Sequence, residues 1–423
     1  MPTDTERAVL AAVDTARAVD ELRELIRLPS VTGSDVESEV QHLLATKLTE
    51  LGHDVDLWQF DLPALRTDTD YPGEEAPRTE GWGLASSSTG QADGPTLVMS
   101  GHVDVVPPGD LAKWPSGDPY DAAADASTIY GRGACDMKAG VVAILAALRA
   151  LDAAGVRLRG NVAVHSVVSE EDGGLGAFAT LRRGHTGDVC IIPEPTSGKV
   201  VTANAGALTF RLRIDGSAAH GSVAYNGVSA VQKLIPVLAA LEDLQQRRNA
   251  RLRDPRTADL PVPYPLSLGT VRAGDWASSV PDLLVADGRY GIGIGEDPAT
   301  ARAELEHTLA EVSAADPWLR DHPVTVEWSG GQFASGELPH GHPLLELVQR
   351  AVVDSTGDPL PAEGAAPYGS DLRHYATAGI PTLHYGPGDV GYAHAPREQV
   401  PVAELTASAG MLAMAAMRYC GVA

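Results

Sequence analysis

The feature that most restricts the fold is an alternation of apolar strands and helices that starts, stops and starts again. TLVMSGHVDVV (residues 96–106) is a buried-strand run leading into a loop. MKAGVVAILAALRALDAAG (137–155) has helical composition and ends in glycine. NVAVHSVV (161–168) and DVCIIPEPT (188–196) are strand-like again. Strands that are apolar throughout and separated by helices belong to mostly parallel sheets covered on both faces. After residue 201 the texture changes. ALTFRLRIDG alternates apolar and polar, as a half-exposed strand does. A helix is expected over 228–246, then strands in LSLGTVRAG and LLVADGRYGIGIG, a helix over 299–313 and a strand in VTVEWSG. That βαββαβ order makes a complete small unit of helices on an antiparallel sheet. LLELVQRAVVDSTG and GIPTLHYGPG then resume the first pattern. The expected architecture is an α/β catalytic domain with a mostly parallel sheet and helices on both faces, from residues 1–205 and 330–423. An inserted α+β domain, 206–329, interrupts it. Residues 66–95, polar and rich in Gly, Ser, Thr and Pro, are expected to form a loop.

The 423 residues leave room for two or more domains and a large core. A formal net charge of −24 argues against nucleic acid as a partner. Three cysteines at no metal or redox spacing give no disulfide framework and suit a reducing compartment. The charged, amphipathic N-terminus is expected to form one or two helices, without a signal-peptide core. No apolar run approaches the ~20 residues a membrane-spanning helix needs. The expected location is the cytoplasm.

Polar residues collect just beyond the strands. SGHVDVVP carries His102 and Asp104, GRGACDMKAG carries Asp136, and VSEEDGG carries Glu170 and Glu171. IIPEPT carries Glu194, and GYAHAPRE carries His394. Each has a plain alternative: a strand-end histidine, a helix cap at Asp136, a solvated turn at the paired glutamates. Their joint placement is what carries information, because strand C-termini of an open α/β sheet converge on one crevice. Five carboxylates and two imidazoles without cysteine suit Zn²⁺, Mn²⁺ or Co²⁺. They are enough for two ions sharing one carboxylate, a geometry that activates water. Two adjacent carboxylates at a buried strand mouth are costly unless positive charge lies between them. No glycine-rich phosphate loop opens a helix after a strand, so a phosphate-handling enzyme fits less well.

These stretches resemble the two-metal aminoacylase and carboxypeptidase family, which includes acetylornithine deacetylase and succinyl-diaminopimelate desuccinylase. SGHVDVVP, GRGACDMKAG, SEEDGG, PEPT, GSAAHGSVAYNGVSA, GPG and AHAPRE occur in family order from about residue 20 onward. The resemblance implies that His102 and Glu194 hold one metal, Glu171 and His394 the other, and Asp136 bridges them. It implies that Asp104 orients His102, and that Glu170 is the general base that takes a proton from a metal-bridging water and passes it to the leaving amine. Within the insert, a lid in the family, His220 matches a histidine that stabilises the oxyanion, often from a partner subunit. Arg289 matches an arginine that holds a substrate carboxylate, and Asp371 matches a stretch bordering the site. The chain reads SSVPD, with Ser278 and Ser279, where many members carry asparagine. The implied activity is cleavage of an N-acyl amino acid, acetylornithine deacetylase-like, with a dipeptidase or carboxypeptidase as the alternative. A non-catalytic metal-binding protein is a rival that predicts a lost ligand or base, and none is missing. The implied cofactors are two divalent ions, Zn²⁺ first, with Co²⁺ or Mn²⁺ as alternatives. The implied partners are a small N-acyl amino acid or short peptide and a second copy of the chain through the lid, with no nucleic acid or membrane.

Overall fold

A computed structural model describes residues 1–88 and 94–423. The chain forms two compact units. One comprises Met1–Ala203, Glu337–Gly364 and Asp371–Ala423; the other comprises Asn204–Gly336 with Ala365–Ser370.

The first unit is built on a large sheet. Its strands run in the order Asp54–Gln59, Trp82–Ser87, Asn161–Val167, Thr96–His102, Val189–Pro195, Thr382–Gly386 and Val200–Asn204. The middle four pair in parallel, and antiparallel pairs flank them. The Val189–Pro195 strand is buried along its whole length, as a sheet covered on both faces requires. Helix Lys138–Ala153 is buried at nearly every position and packs on helix Val402–Cys420, itself lined with buried alanines and methionines. Small side chains let the two axes approach closely. Gly140 takes this furthest: a Cβ there would lie 2.2 Å from the carbonyl oxygen of Pro193, so the helix rests directly on the strand that carries Glu194. The N-terminal residues form two helices, Asp4–Ala11 and Thr15–Ile26, the first started by a Thr3–Glu6 capping box.

The loop expected over residues 66–95 requires correction. Trp82–Ser87 is a strand, paired with Asp54–Gln59 on one side and Asn161–Val167 on the other. WGLASS lacks the β-branched residues that advertise a strand, and pairing on both edges supplies what propensity does not. The small residues serve the packing, since the indole of Trp58 lies where a Cβ on Gly83 would sit, 2.2 Å away. Residues 89–93 of the expected loop lie outside the described residues.

The second unit is a four-stranded antiparallel sheet in the order Thr325–Phe333, Gly206–Asp215, Leu283–Ile292, Leu266–Ala273. Its apolar core gathers residues of this sheet and of helices Ala230–Arg251 and Pro298–Ala315. The first helix runs five residues beyond the expected end. Its last turns are held by Arg248, which is buried over the Tyr290 ring and bonded to Glu296, Glu304 and the carbonyl of Gly291.

Candidate metal centre

The parallel register brings the strand ends level. Thr96 faces Asn161 and His102 faces Val167, so His102 closes its strand where the neighbouring strand gives way to the Ser169–Gly174 turn. Glu194 lies near the end of the next strand, and Asp136 two residues before helix Lys138–Ala153. His394 follows the Thr382–Gly386 strand. Two non-glycine residues here, Ser169 and His394, have left-handed backbone with φ of 64° and 60°. Such conformations persist only where the surroundings enforce them.

These side chains meet around Asp136. Its Oδ1 lies 3.1 Å from His102 Nε2, and its Oδ2 lies 3.5 Å from His394 Nε2. His102 Nε2 is also 3.7 Å from Glu194 Oε1, and His394 Nε2 is 3.0 Å from Glu171 Oε2. One carboxylate is thus shared between two imidazole–glutamate pairs. Ligand atoms of His102, Asp136 and Glu171 all lie within 4.8 Å of one another.

The electrostatics point to missing positive charge. Burial raises Glu194 and Glu170 well above the usual carboxylate range; His102 pulls each back, and neighbouring carboxylates push each further up. Burial likewise raises Glu171, helped by Asp136. Burial also works to raise Asp136, but hydrogen bonds from His102 and His394 hold it below the usual range. Glu171 and Asp136 push His394 up to about 11 against its burial. Burial opposes a charge on His102, yet Glu194, Asp136 and Asp104 raise it well above its ordinary value. The imidazoles act as makeshift cations in a pocket with a surplus of buried carboxylate. Divalent ions held by these residues would supply that charge directly, and the oxygen and nitrogen donors suit them.

Asp104 differs from expectation in which atom does the holding. His102 Nδ1 is 2.9 Å from the backbone carbonyl of Asp104, and the carboxylate is farther, at 3.6 Å. The carboxylate instead accepts the backbone N–H of Glu170 at 3.1 Å, that of Glu171 at 3.2 Å, and the Thr32 hydroxyl at 2.9 Å. It therefore fixes the turn that presents both glutamates. Thr32 was not singled out in the sequence, and a lone threonine in a Gly/Ser segment offers no signal. Arg132 and Glu398 were also passed over. They stand in the same quoted motifs, four residues before Asp136 and four after His394.

Asp371 is buried in the same unit with no hydrogen-bond partner among the described residues at either carboxylate oxygen, and burial raises it to about 7. Glu170 and Glu194 both feel its charge. His220 and Arg289 belong to the second unit. His220 is exposed, its Nδ1 2.7 Å from the Ser222 hydroxyl, and its backbone bridges to Ser279. Arg289 donates to the carbonyl of Pro367 at 2.9 Å, and burial alone lowers its pKa.

A model of the peptidase family M20/M25/M40 matches residues 98–418, a stretch that carries every residue of this cluster except Thr32. The chain belongs to this family. It is similar to the succinyl-diaminopimelate desuccinylase of Gluconacetobacter diazotrophicus, 30% identical over 94% of this chain and 96% of that one. It is 26% identical to the N-formyl-4-amino-5-aminomethyl-2-methylpyrimidine deformylase of Halalkalibacterium halodurans, over 87% and 86% of the two chains. It is 24% identical to the acetylornithine deacetylase of Proteus mirabilis, over 94% and 95%. Among solved structures, the di-peptidase Dug1p of Saccharomyces cerevisiae superposes with a TM-score of 0.77 at 15% identity, over 98% of each chain. A Bacillus subtilis protein described as a dinuclear metal binding peptidase of the M20 family superposes at 0.63 and 16%, over 97% and 99%. Like other members of the family, this chain is a metallohydrolase of amide bonds. Among its described residues no helix is long and apolar enough to cross a membrane.

Proposed function

We propose that the chain hydrolyses the acyl amide of an N-acyl amino acid, acetylornithine deacetylase-like, with two divalent ions at the Asp136 centre. The observation that carries this reading is the division of Asp136 between the two imidazoles, 3.1 Å from one and 3.5 Å from the other. His102 and Glu194 would hold one ion, Glu171 and His394 the other, and Asp136 both. Ions held there would supply an acidified water and a Lewis acid for the amide carbonyl. Zn²⁺ is the proposed occupant, with Co²⁺ or Mn²⁺ able to substitute in the same donor set.

Glu170 is the proposed base. It is buried beside the cluster, and its backbone N–H is fixed by the Asp104 carboxylate, so the turn that carries it is set before substrate arrives. It takes a proton from water as the oxygen adds to the carbonyl carbon. It returns that proton to nitrogen as the C–N bond breaks, leaving a carboxylate and a free amine. Arg289 is assigned to a substrate carboxylate, because it donates to a neutral carbonyl, that of Pro367. His220 is assigned to the developing oxyanion, and Asp371 to the border of the site. The runner-up is a dipeptidase or carboxypeptidase; the three acyl-removing relatives weigh against it.

A homodimer through the second unit is part of the same reading. Val231, Ile235 and Leu238 are exposed on helix Ala230–Arg251, spaced to share one face, and Ile235 is 66% exposed. The strand Leu266–Ala273 is an unpaired edge of its sheet. A cytoplasmic location accords with three buried, unpaired cysteines.

The test is amine release by metal-stripped protein, with and without Zn²⁺, Co²⁺ or Mn²⁺. The panel is N-formyl, N-acetyl and N-succinyl amino acids and dipeptides. Metal-dependent release from one acyl class is expected. Release from dipeptides alone would favour the runner-up. Glu170→Gln is expected to keep both ions and lose roughly 10²–10⁴-fold in turnover; unchanged turnover would remove Glu170 from the mechanism.

A further inference from the structure

Beneath the Asp136 centre lies a buried ion pair that the chemistry above does not use. Arg132 is 2% exposed and Glu398 is 1% exposed. Arg132 Nη1 donates to Glu398 Oε2 at 2.5 Å. Glu398 Oε1 accepts the backbone N–H of Cys135 at 3.0 Å and of Asp136 at 3.1 Å. Arg132 Nη2 donates to the carbonyl of His394 at 3.3 Å and of Pro107 at 3.4 Å. The guanidinium lies over the Trp114 ring, 5.2 Å from its centre. A backbone bond from Gly131 N–H to the Glu398 carbonyl, 3.1 Å, ties the same two segments once more.

A buried ion pair is a poor source of stability, because desolvation consumes most of its attraction. What distinguishes this pair is where its remaining bonds go. They reach the N–H of Asp136 and the C=O of His394, the two residues whose side chains face each other at 3.5 Å. These residues are far apart in the chain and share no strand. His394 also has the left-handed backbone that needs outside support. The other half of the centre has its own support: His102 ends a strand paired on both sides, and its ring is held by the Asp104 carbonyl.

We propose that Arg132 and Glu398 are positioning residues that set the separation of Asp136 and His394, and so act most strongly on the ion held by Asp136, Glu171 and His394 and less on the ion held by Asp136, His102 and Glu194. The inference rests on the two-ion reading above. Groups behind metal ligands change affinity by ~10–100-fold when removed. The change here falls unequally on the two ions, because Asp136 faces both imidazoles while the His394 carbonyl belongs to one side only.

The experiment is calorimetric titration of the metal-stripped full chain with Zn²⁺, for wild type, Arg132→Lys and Glu398→Gln. Lysine keeps the charge but cannot serve Glu398 and His394 together. Glutamine keeps an acceptor for the two N–H groups but turns an amide N–H₂ towards Arg132. Wild type is expected to show two binding events. Each variant is expected to weaken one of them ~10–100-fold and the other distinctly less. His394→Ala is expected to abolish that same event, which identifies it. Equal weakening of both events, or of neither, overturns the proposal. A wild type that binds fewer than two ions overturns the two-ion reading itself, a separate result. If either variant fails to give the wild-type circular dichroism spectrum, Trp114→Leu replaces it. That change removes the ring beneath the guanidinium, together with its N–H bond to the Pro108 carbonyl, and leaves Arg132 and Glu398 in place; it is expected to weaken the same event most.

Discussion

At the residue scale, Asp104 carries the sharpest lesson. Its position two residues after His102 made it a natural partner for that ring, and the ring is indeed held by Asp104, but through the main chain. Chain spacing tells which residues are near one another. It does not tell which atom of a residue faces which neighbour. The carboxylate was left for the Glu170–Glu171 turn, a relation hidden by a separation of 66 positions along the chain. Asp104→Asn should expose the difference. Asparagine keeps the backbone carbonyl for His102 but sets an N–H₂ against one of the two glutamate N–H donors. The expected result is a fall in kcat of ~10–100-fold with KM and metal content near wild type. Loss of metal in proportion to activity would return the carboxylate to the His102 ring.

At the scale of elements, long apolar strands and the Lys138–Ala153 helix were legible because burial on both faces leaves only one kind of sequence. Trp82–Ser87 was not, because its stability comes from its two neighbours and its residues are small to admit Trp58. The cluster itself was legible as a set of strand-end residues, whereas the ion pair beneath it was not. Buried Arg and Glu look like surface residues until their partner is known. Contact between helix and strand also bears on function. Gly140 presses on Pro193, one residue from Glu194. Gly140→Ala gains helix propensity but forces the helix off the strand. Overpacking should cost ~1–3 kcal/mol, read as a lower midpoint in urea. The displaced Glu194 should weaken one metal-binding event. A midpoint equal to or above wild type would mean that the helix moves without strain.

At the scale of the whole molecule, acid should be a selective stress. Burial lowers His53 to about 4, and His165 and His384 each to about 3. In the unfolded chain a histidine titrates near ~6.5. Between those values the unfolded chain binds more protons than the folded one, so stability rises with pH across the window and is complete above ~6.5. It is lost as pH falls from ~6.5 towards 3, by up to ~1.4 kcal/mol per pH unit for each histidine. His165→Gln, which keeps a polar group for the Tyr375 hydroxyl, should therefore lose less stability between pH 7 and pH 5 than wild type does. Urea midpoints of each protein at both pH values make the comparison internal. An identical loss in both would place the acid sensitivity elsewhere.

The strand order has a consequence for the growing chain. Thr382–Gly386 lies between Val189–Pro195 and Val200–Asn204, yet it is made long after both. At ~5–20 residues per second, a ribosome takes roughly ten to forty seconds to reach it. Throughout that interval two apolar strands wait with open edges, the condition under which chains pair wrongly with one another. His102, Asp136, Glu171 and Glu194 are meanwhile already synthesised, with no His394 to complete them. A nascent chain is thus an unfinished acidic cup beside a gap in its own sheet. Its yield in a cell should depend on chaperones and on translation speed more than the stability of the finished molecule would suggest.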